Sequence, residues 1–191
     1  MTRINLEHLI RAIGDMIKVD EITIFGSQSI LAQHPDLDNI VKSKNITMSP
    51  KKHDIEMLQR SMEADVYVKN PDLANDIEFH MGEQSIFHTT HGYYIDTVDT
   101  TTSKLPKDWE KRLIKISNEN TNHVSGWCLE KHDLILSKLK AGREKDLEFF
   151  YSMMSLSLLQ KKSLLKRLHT MEITEADKSR ISNLIKKAFS K

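Results

Sequence analysis

The sequence predicts an α+β protein: a small mixed β-sheet core flanked by helices over residues 1–125, followed by a helical C-terminal subdomain over 126–191. Three observations carry that expectation. Short runs rich in β-branched and aromatic residues recur at 21–25 (EITIF), 64–69, 92–98 (GYYIDTV) and 112–116 (RLIKI), and they read as strands. Apolar residues at helical spacing lie between them, so the strands are interleaved with helices. Past Gly126 the alternating pattern stops and only helical spacing continues.

The elements follow in order. Asn5 is the expected N-cap of a helix over 6–18, whose apolar stripe is Leu6, Leu9, Ile10, Ile13 and Ile17. The strand 21–25 is broken by Gly26-Ser27, and 28–33 reads as helical up to His34-Pro35. Residues 35–52 are polar and hold two prolines, which predicts a long surface loop with one helical turn near 37–41. A short helix over 55–61 leads into the second strand, which ends at Asn70-Pro71. Pro71 suits the first turn of a helix running to Phe79. Residues 82–91 read as irregular, 106–110 as a turn, and 118–126 as a polar, turn-rich boundary. Two helices then carry Leu134–Leu139 and Leu147–Met154, separated at Ala141-Gly142, and a third covers 159–168. Thr174 caps the last helix, whose apolar face is Ile181, Leu184, Ile185 and Phe189.

Composition narrows the function classes. With 191 residues, 39% hydrophobic and 29% charged, and only 6 Gly and 4 Pro, the chain is ordinary for a globular protein, which excludes collagen-like and low-complexity classes. A net charge of +1 gives no overall pull toward nucleic acid, so RNA binding would need a local patch. Lys and Arg do concentrate in the C-terminal third, at Lys161–Lys162, Lys166–Arg167 and Lys186–Lys187. The single cysteine, Cys128, cannot form an internal disulfide and fits a reducing compartment; Trp127 and Leu129 beside it mark a buried side chain rather than a nucleophile. Charges inside the N-terminal apolar pattern argue against a signal peptide, and no run approaches the ~20 apolar residues that span a bilayer. The expectation is a soluble, cytoplasmic protein with no membrane partner.

Chemistry concentrates on two strands and one turn. Successive strand side chains point to opposite faces, so Glu63 and Asp65 project together, about 7 Å apart along the strand. Two carboxylates so placed repel each other unless a cation sits between them, and Mg²⁺ prefers such oxygen ligands. The plainer reading is an exposed strand face with two solvated acids. Gly26 allows a sharp bend after the first strand, and Ser27 is expected to cap the following helix, whose N–H groups would favour a nucleotide phosphate. Its plainer counterpart is a common strand-to-helix turn. Asp96, in the middle of the third strand, is a further metal ligand or a general base if that strand pairs beside Glu63 and Asp65; Asp99 falls on the opposite face. The histidines at 80, 88, 91, 123 and 132 have no zinc-site spacing and read as loop or core residues, while the run 88–94 could line a substrate pocket.

The segments IFGSQSIL, SMEADVYV and FHTTHGYYID, with ENTNHVSGWCLEKHDLILSKLKAGREKDLEF further on, resemble a bacterial nucleotidyltransferase-like family of the DNA polymerase β-like superfamily. That family is similar to the nucleotidyltransferase toxins of type IV toxin–antitoxin and abortive-infection systems. The resemblance implies transfer of a nucleoside monophosphate from an NTP to a hydroxyl, with one or two Mg²⁺ held by Glu63, Asp65 and Asp96, and phosphates held by Gly26 and Ser27. It extends to a helical motif, matched here by Asp133, Lys138, Arg143, Lys145 and Asp146. Lys138 and Arg143 straddle the Ala141-Gly142 break and would neutralise the leaving group beside Asp146, whereas Lys145 faces solvent. On the residues alone, REKDLE is an ordinary charged helix surface. Implied partners are the NTP, an RNA 3′ end, protein or small-molecule acceptor, and an antitoxin. The chain departs from the pattern in having Glu63 where Asp is usual, and in the added length at 35–52. Glu63 leaves open a silent nucleotide binder, and the Met-rich stretch 147–159 leaves open a partner-docking face.

Overall fold

In the computed structural model the described residues are 1–37, 49–99, 101 and 103–190; the expected helical turn near 37–41 and most of the 35–52 loop lie outside them. Among the described residues the chain forms two compact units, Met1–Asp36 with Gln59–Thr102 and Leu113–Leu129, and Leu37–Leu58 with Ser103–Arg112 and Glu130–Lys191.

The first unit is built on a mixed five-stranded sheet. Its strands are β1 (Glu21–Ile24), β2 (Glu63–Tyr67), β3 (Tyr94–Thr97), β4 (Ile114–Ile116) and β5 (Ser125–Cys128), in the spatial order β3-β2-β1-β5-β4. β1 runs antiparallel to β2 and parallel to β5, β2 runs parallel to β3, and β4 antiparallel to β5. The α+β class is therefore the observed one. β5 was not expected, because its Ser-Gly-Trp-Cys has poor strand propensity and followed a turn-rich stretch. Its place between β1 and β4 supplies the partners its own sequence does not advertise.

One sheet face is apolar. Ile22 and Ile24, Ala64 and Val66, Ile95 and Cys128 are buried there, with Leu6, Leu9, Ile10 and Ile13 of α1 (Arg3–Ile17). Each such aliphatic side chain contributes about 1.5–3 kcal/mol on burial. Gly126 shows how closely α1 lies on β5: a Cβ there would stand 2.5 Å from Ile10 Cδ1. Burial also pushes the Cys128 thiol up to about 12, so it is inert as a nucleophile.

Several boundaries differ from expectation for local reasons. α1 begins at Arg3 because Thr2, not Asn5, is the N-cap; the two side chains bond reciprocally to each other's backbone N–H in a capping box. The turn after β1 is a 3-10 turn (Ser27–Ser29) running into the single-turn α2 (Ile30–Gln33). α3 (Ser49–Gln59) starts earlier and ends earlier than the expected 55–61 helix. α4 (Pro71–Met81) has Pro71 in its first turn and the Asn70 side chain accepting from Asp72 N–H. The stretch expected to be irregular holds α5 (Ile86–His91), capped by Ser85 and closed by Gly92 at φ 76°. Arg112 ends a 3-10 turn (Trp109–Arg112) rather than starting β4.

The second unit holds α3 and the C-terminal helices α6 (Lys131–Ala141), α7 (Glu144–Ser155), α8 (Lys161–Leu168) and α9 (Glu175–Ala188). Gly142 adopts φ 70° and closes α6, which is the break read from Ala141-Gly142. Thr174 accepts from Asp177 N–H as the α9 N-cap. Phe149, Phe150, Met153, Leu156, Leu158 and Leu159 are buried, so the Met-rich stretch is core and not a docking face.

Candidate active site

The catalytic candidates of the first unit sit on the sheet face opposite α1. Burial alternates along β2, with Ala64 and Val66 buried and Glu63, Asp65 and Tyr67 half-buried on the other side. β2 and β3 pair in parallel with Asp65 opposite Asp96 and Glu63 opposite Tyr94. This register, which spacing alone could not supply, brings three acids together: one ligand oxygen each from Glu63, Asp65 and Asp96 lies within 4.8 Å of the others. At an effective dielectric of ~20 such a separation implies repulsion on the order of 3 kcal/mol per ionised pair.

The surroundings respond to that charge. Asp96 is exposed as a residue, yet its carboxyl is partly desolvated; that effect, then the Glu63 and Glu78 charges, raises its pKa above the ordinary carboxylate value. The Tyr94 hydroxyl donates to Glu63 Oε2 at 3.3 Å and orients that side chain. Glu78 of α4 accepts from Thr97 N–H through Oε1, which holds a fourth carboxylate near Asp96. Neither Tyr94 nor Glu78 was assigned a role from sequence; Tyr94 lay inside the run 88–94, whereas Glu78 carried no signal of its own.

Gly26 has a steric reason. A Cβ there would lie 1.4 Å from Asp65 Oδ2 and 2.5 Å from Asp65 Cγ, so the carboxylate rests on the glycine itself. The turn is stapled to β2 by Phe25 N–H donating to Asp65 O at 3.0 Å and by Gln28 Nε2 donating to Ser61 O at 2.8 Å. Gln28 is fully buried, and its Oε1 has no hydrogen-bond partner among the described residues. Ser27 does not cap a helix: Gly26 occupies the cap position without a side-chain bond, and Ser29 Oγ instead donates to Ile24 O at 2.6 Å. The hydroxyl expected to close the turn therefore comes from two residues later.

In the second unit Lys138, Arg143 and Asp146 converge on each other. Lys138 Nζ lies 3.2 Å from Asp146 Oδ1, and Arg143 Nε donates to Asp146 Oδ2 at 2.7 Å. Burial alone would raise the Asp146 pKa; the Arg143 hydrogen bond and the Lys138 charge override it and hold the carboxyl below its ordinary value. Lys145 is exposed, as expected. Asp133, the first acid of the helical motif, is fully buried, with Arg112 Nε donating to Oδ2 at 2.7 Å and Arg167 Nη1 in an ion pair with Oδ1 at 3.1 Å. Both arginines are partners that sequence reading missed. His132 is buried too, with Nε2 accepting from Gln160 N–H and Nδ1 bonded to Glu130 Oε1 at 2.8 Å. It is a core histidine.

Among the described residues, Glu63, Asp65 and Asp96 form the group of His, Cys, Asp or Glu side chains placed to share a metal ion. Three hard oxygen ligands on a half-open sheet face suit Mg²⁺, which keeps water and substrate phosphates as its remaining ligands. Residues 4–191 match the model of a family described as nucleotidyltransferase of unknown function (DUF6036). The chain belongs to that family. No curated protein and no solved structure matches it. Among the described residues no helix is long and apolar enough to cross a membrane.

Proposed function

We propose that this protein transfers a nucleoside monophosphate from an NTP to a hydroxyl acceptor in a Mg²⁺-dependent reaction. The observation that carries the proposal is the convergence of Glu63, Asp65 and Asp96 on one sheet face, beside the Gly26 turn, in a chain of a nucleotidyltransferase family. The acceptor oxygen attacks the α-phosphorus, the bond to the β-phosphate oxygen breaks, and pyrophosphate leaves with its electron pair. Glu63, Asp65 and Asp96 would hold the metal, which supplies charge neutralisation at the phosphates when bound. Asp96, on the same face as Glu63 and Asp65, would also be placed to accept the acceptor's hydroxyl proton. On the family resemblance Gly26 and Ser27 are assigned to the phosphates; in the second unit the same resemblance assigns Lys138 and Arg143 to phosphate charge, with Asp146 as the acid that holds them.

Incubation with Mg²⁺, each α-labelled NTP and total RNA, beside an Asp65→Asn control, tests the reading. Label on RNA or on the protein itself with wild type only supports transfer and names the acceptor class. NTP binding without label transfer by any acceptor refutes it in favour of a silent binder. A toxin role extends the proposal: expression would arrest bacterial growth, and Asp65→Asn would abolish the arrest.

A further inference from the structure

The sheet face that carries the acids continues past them. Tyr67 is the next same-face residue after Asp65 on β2, about 7 Å further along the strand, and it pairs with Thr23 of β1, which pairs with Trp127 of β5, which pairs with Lys115 of β4. These four side chains wall an open pocket of about 640 Å³ at the end of the sheet away from the Gly26 turn. Lys18 and Lys69 also line it. The Trp127 indole lines the pocket, with Nε1 donating to Glu21 Oε2 at 3.1 Å and Lys115 Nζ 5.5 Å from the ring centroid. Glu21 Oε1 is held in turn by Lys69 at 3.1 Å.

We propose that this pocket docks a single-stranded nucleic acid whose terminal hydroxyl is presented to the Glu63–Asp65–Asp96 centre. The charge pattern favours a polyanion. The pocket carries three lysines (18, 69 and 115) against two carboxylates, Asp20 and Glu21, one same-face step from a cluster of three acids. An uncharged hydroxyl acceptor would need no cationic wall. A strand of phosphodiesters requires positive charge along its path and tolerates acids only where a cation meets its end. An indole beside those lysines adds a base-stacking platform, which is the sequence-tolerant half of such sites. The inference rests on the acid centre being the transfer site, but docking is measurable without transfer.

The probe is a 5′-fluorescein-labelled 12-nucleotide single-stranded RNA, with the matching DNA as a second arm, followed by anisotropy in EDTA across a salt series. Wild type is expected to bind with a log–log salt slope of about −2, three contacts at about −0.7 each. Lys69→Glu/Lys115→Glu should lose at least about tenfold in affinity and flatten the slope. Both lysines are exposed, so the double variant is expected to keep its unfolding midpoint. Trp127→Leu should weaken binding about tenfold with the slope unchanged, and Asp65→Asn should still bind. Tighter RNA than DNA binding identifies the natural strand; equal binding leaves the single-strand assignment standing. Absence of binding by wild type, or an affinity and slope unchanged in the double variant, overturns the proposal. Binding without any nucleotidyl transfer refutes the proposed function alone. Label transfer to protein or small molecules without oligonucleotide binding refutes this inference alone.

Discussion

Gly26→Ala is the sharpest test of the acid centre. The new Cβ would stand 1.4 Å from Asp65 Oδ2, and ordinary contact begins near 3.4 Å, so the carboxylate must retreat by about 2 Å. Backbone strain does not enter, because Gly26 sits at φ −76°, a value open to any residue. Overpacking costs about 1–3 kcal/mol, and reduced freedom of the unfolded chain offsets about 0.4–1 kcal/mol of it. Since Asp65 lies on the open face and can swing outward, the net loss belongs at the low end, near 1 kcal/mol, or a few degrees in midpoint for a domain of this size. Function should suffer far more. A reacting or coordinating group displaced by 1 Å costs about 10²-fold, so transfer should fall at least that far. Titration calorimetry with Mn²⁺ reads the same change without any acceptor: wild type should bind, and the variant should bind at least about tenfold more weakly. A Gly26→Ala protein that unfolds cooperatively and binds Mn²⁺ as wild type does would refute the claim that Asp65 rests on this glycine.

Three further outcomes follow from the same geometry. In EDTA, Asp65→Asn should raise the unfolding midpoint by relieving like-charge repulsion among acids within 4.8 Å, and it should lose the Mg²⁺-induced stabilisation that wild type shows; a lower midpoint in EDTA would count against the cluster. Asp96 has a folded pKa raised above its ordinary value, so the native state binds the extra proton. Metal-free stability should therefore fall as pH rises from the ordinary carboxylate value through the raised one, and Asp96→Asn should flatten that segment of the denaturation profile. Glu130 behaves oppositely. Burial alone would raise it, but the hydrogen bonds from the His132 side chain and backbone, with the Arg167 charge, hold it down at about 2. It contributes on the order of 3 kcal/mol that is fully present above the ordinary Glu value of 4.5 and lost as pH falls toward 2, so Glu130→Gln should destabilise at neutral pH and blunt the acid limb.

Much of this protein is local, and what is local can be read from sequence. Pro71, Gly142 and Thr174 act through their own backbone and near neighbours, so the helix ends they mark are where propensity puts them. Where two local signals compete, the reading slips: Asn5 and Thr2 both suit a cap, and the pair turned out to be one box starting at Thr2. α5 is short and rich in His and Thr, which hides it from periodicity, though Ser85 and Gly92 bracket it as cap and closure.

The sequence by itself determined the α+β class, the shared face of Glu63 and Asp65, the buried state of Cys128 and the helix break that Lys138 and Arg143 straddle, whereas the closure of both cations on Asp146 came from the structure. Each of the former depends on period-2 alternation, on hydrophobicity or on residues within a few positions of one another. Only the tertiary structure decided the rest. The pairing of Asp96 with Asp65 needs the β2–β3 register, which arises from packing Ala64, Val66 and Ile95 against the helices on the other face. The insertion of Ser125–Cys128 between β1 and β4, the two arginines on Asp133 and the contact of Gly26 with a carboxylate 39 residues away are likewise settled by what long-range packing leaves adjacent. A side chain's chemistry is written in its own position, but its partner across the sheet is chosen by the core beneath it.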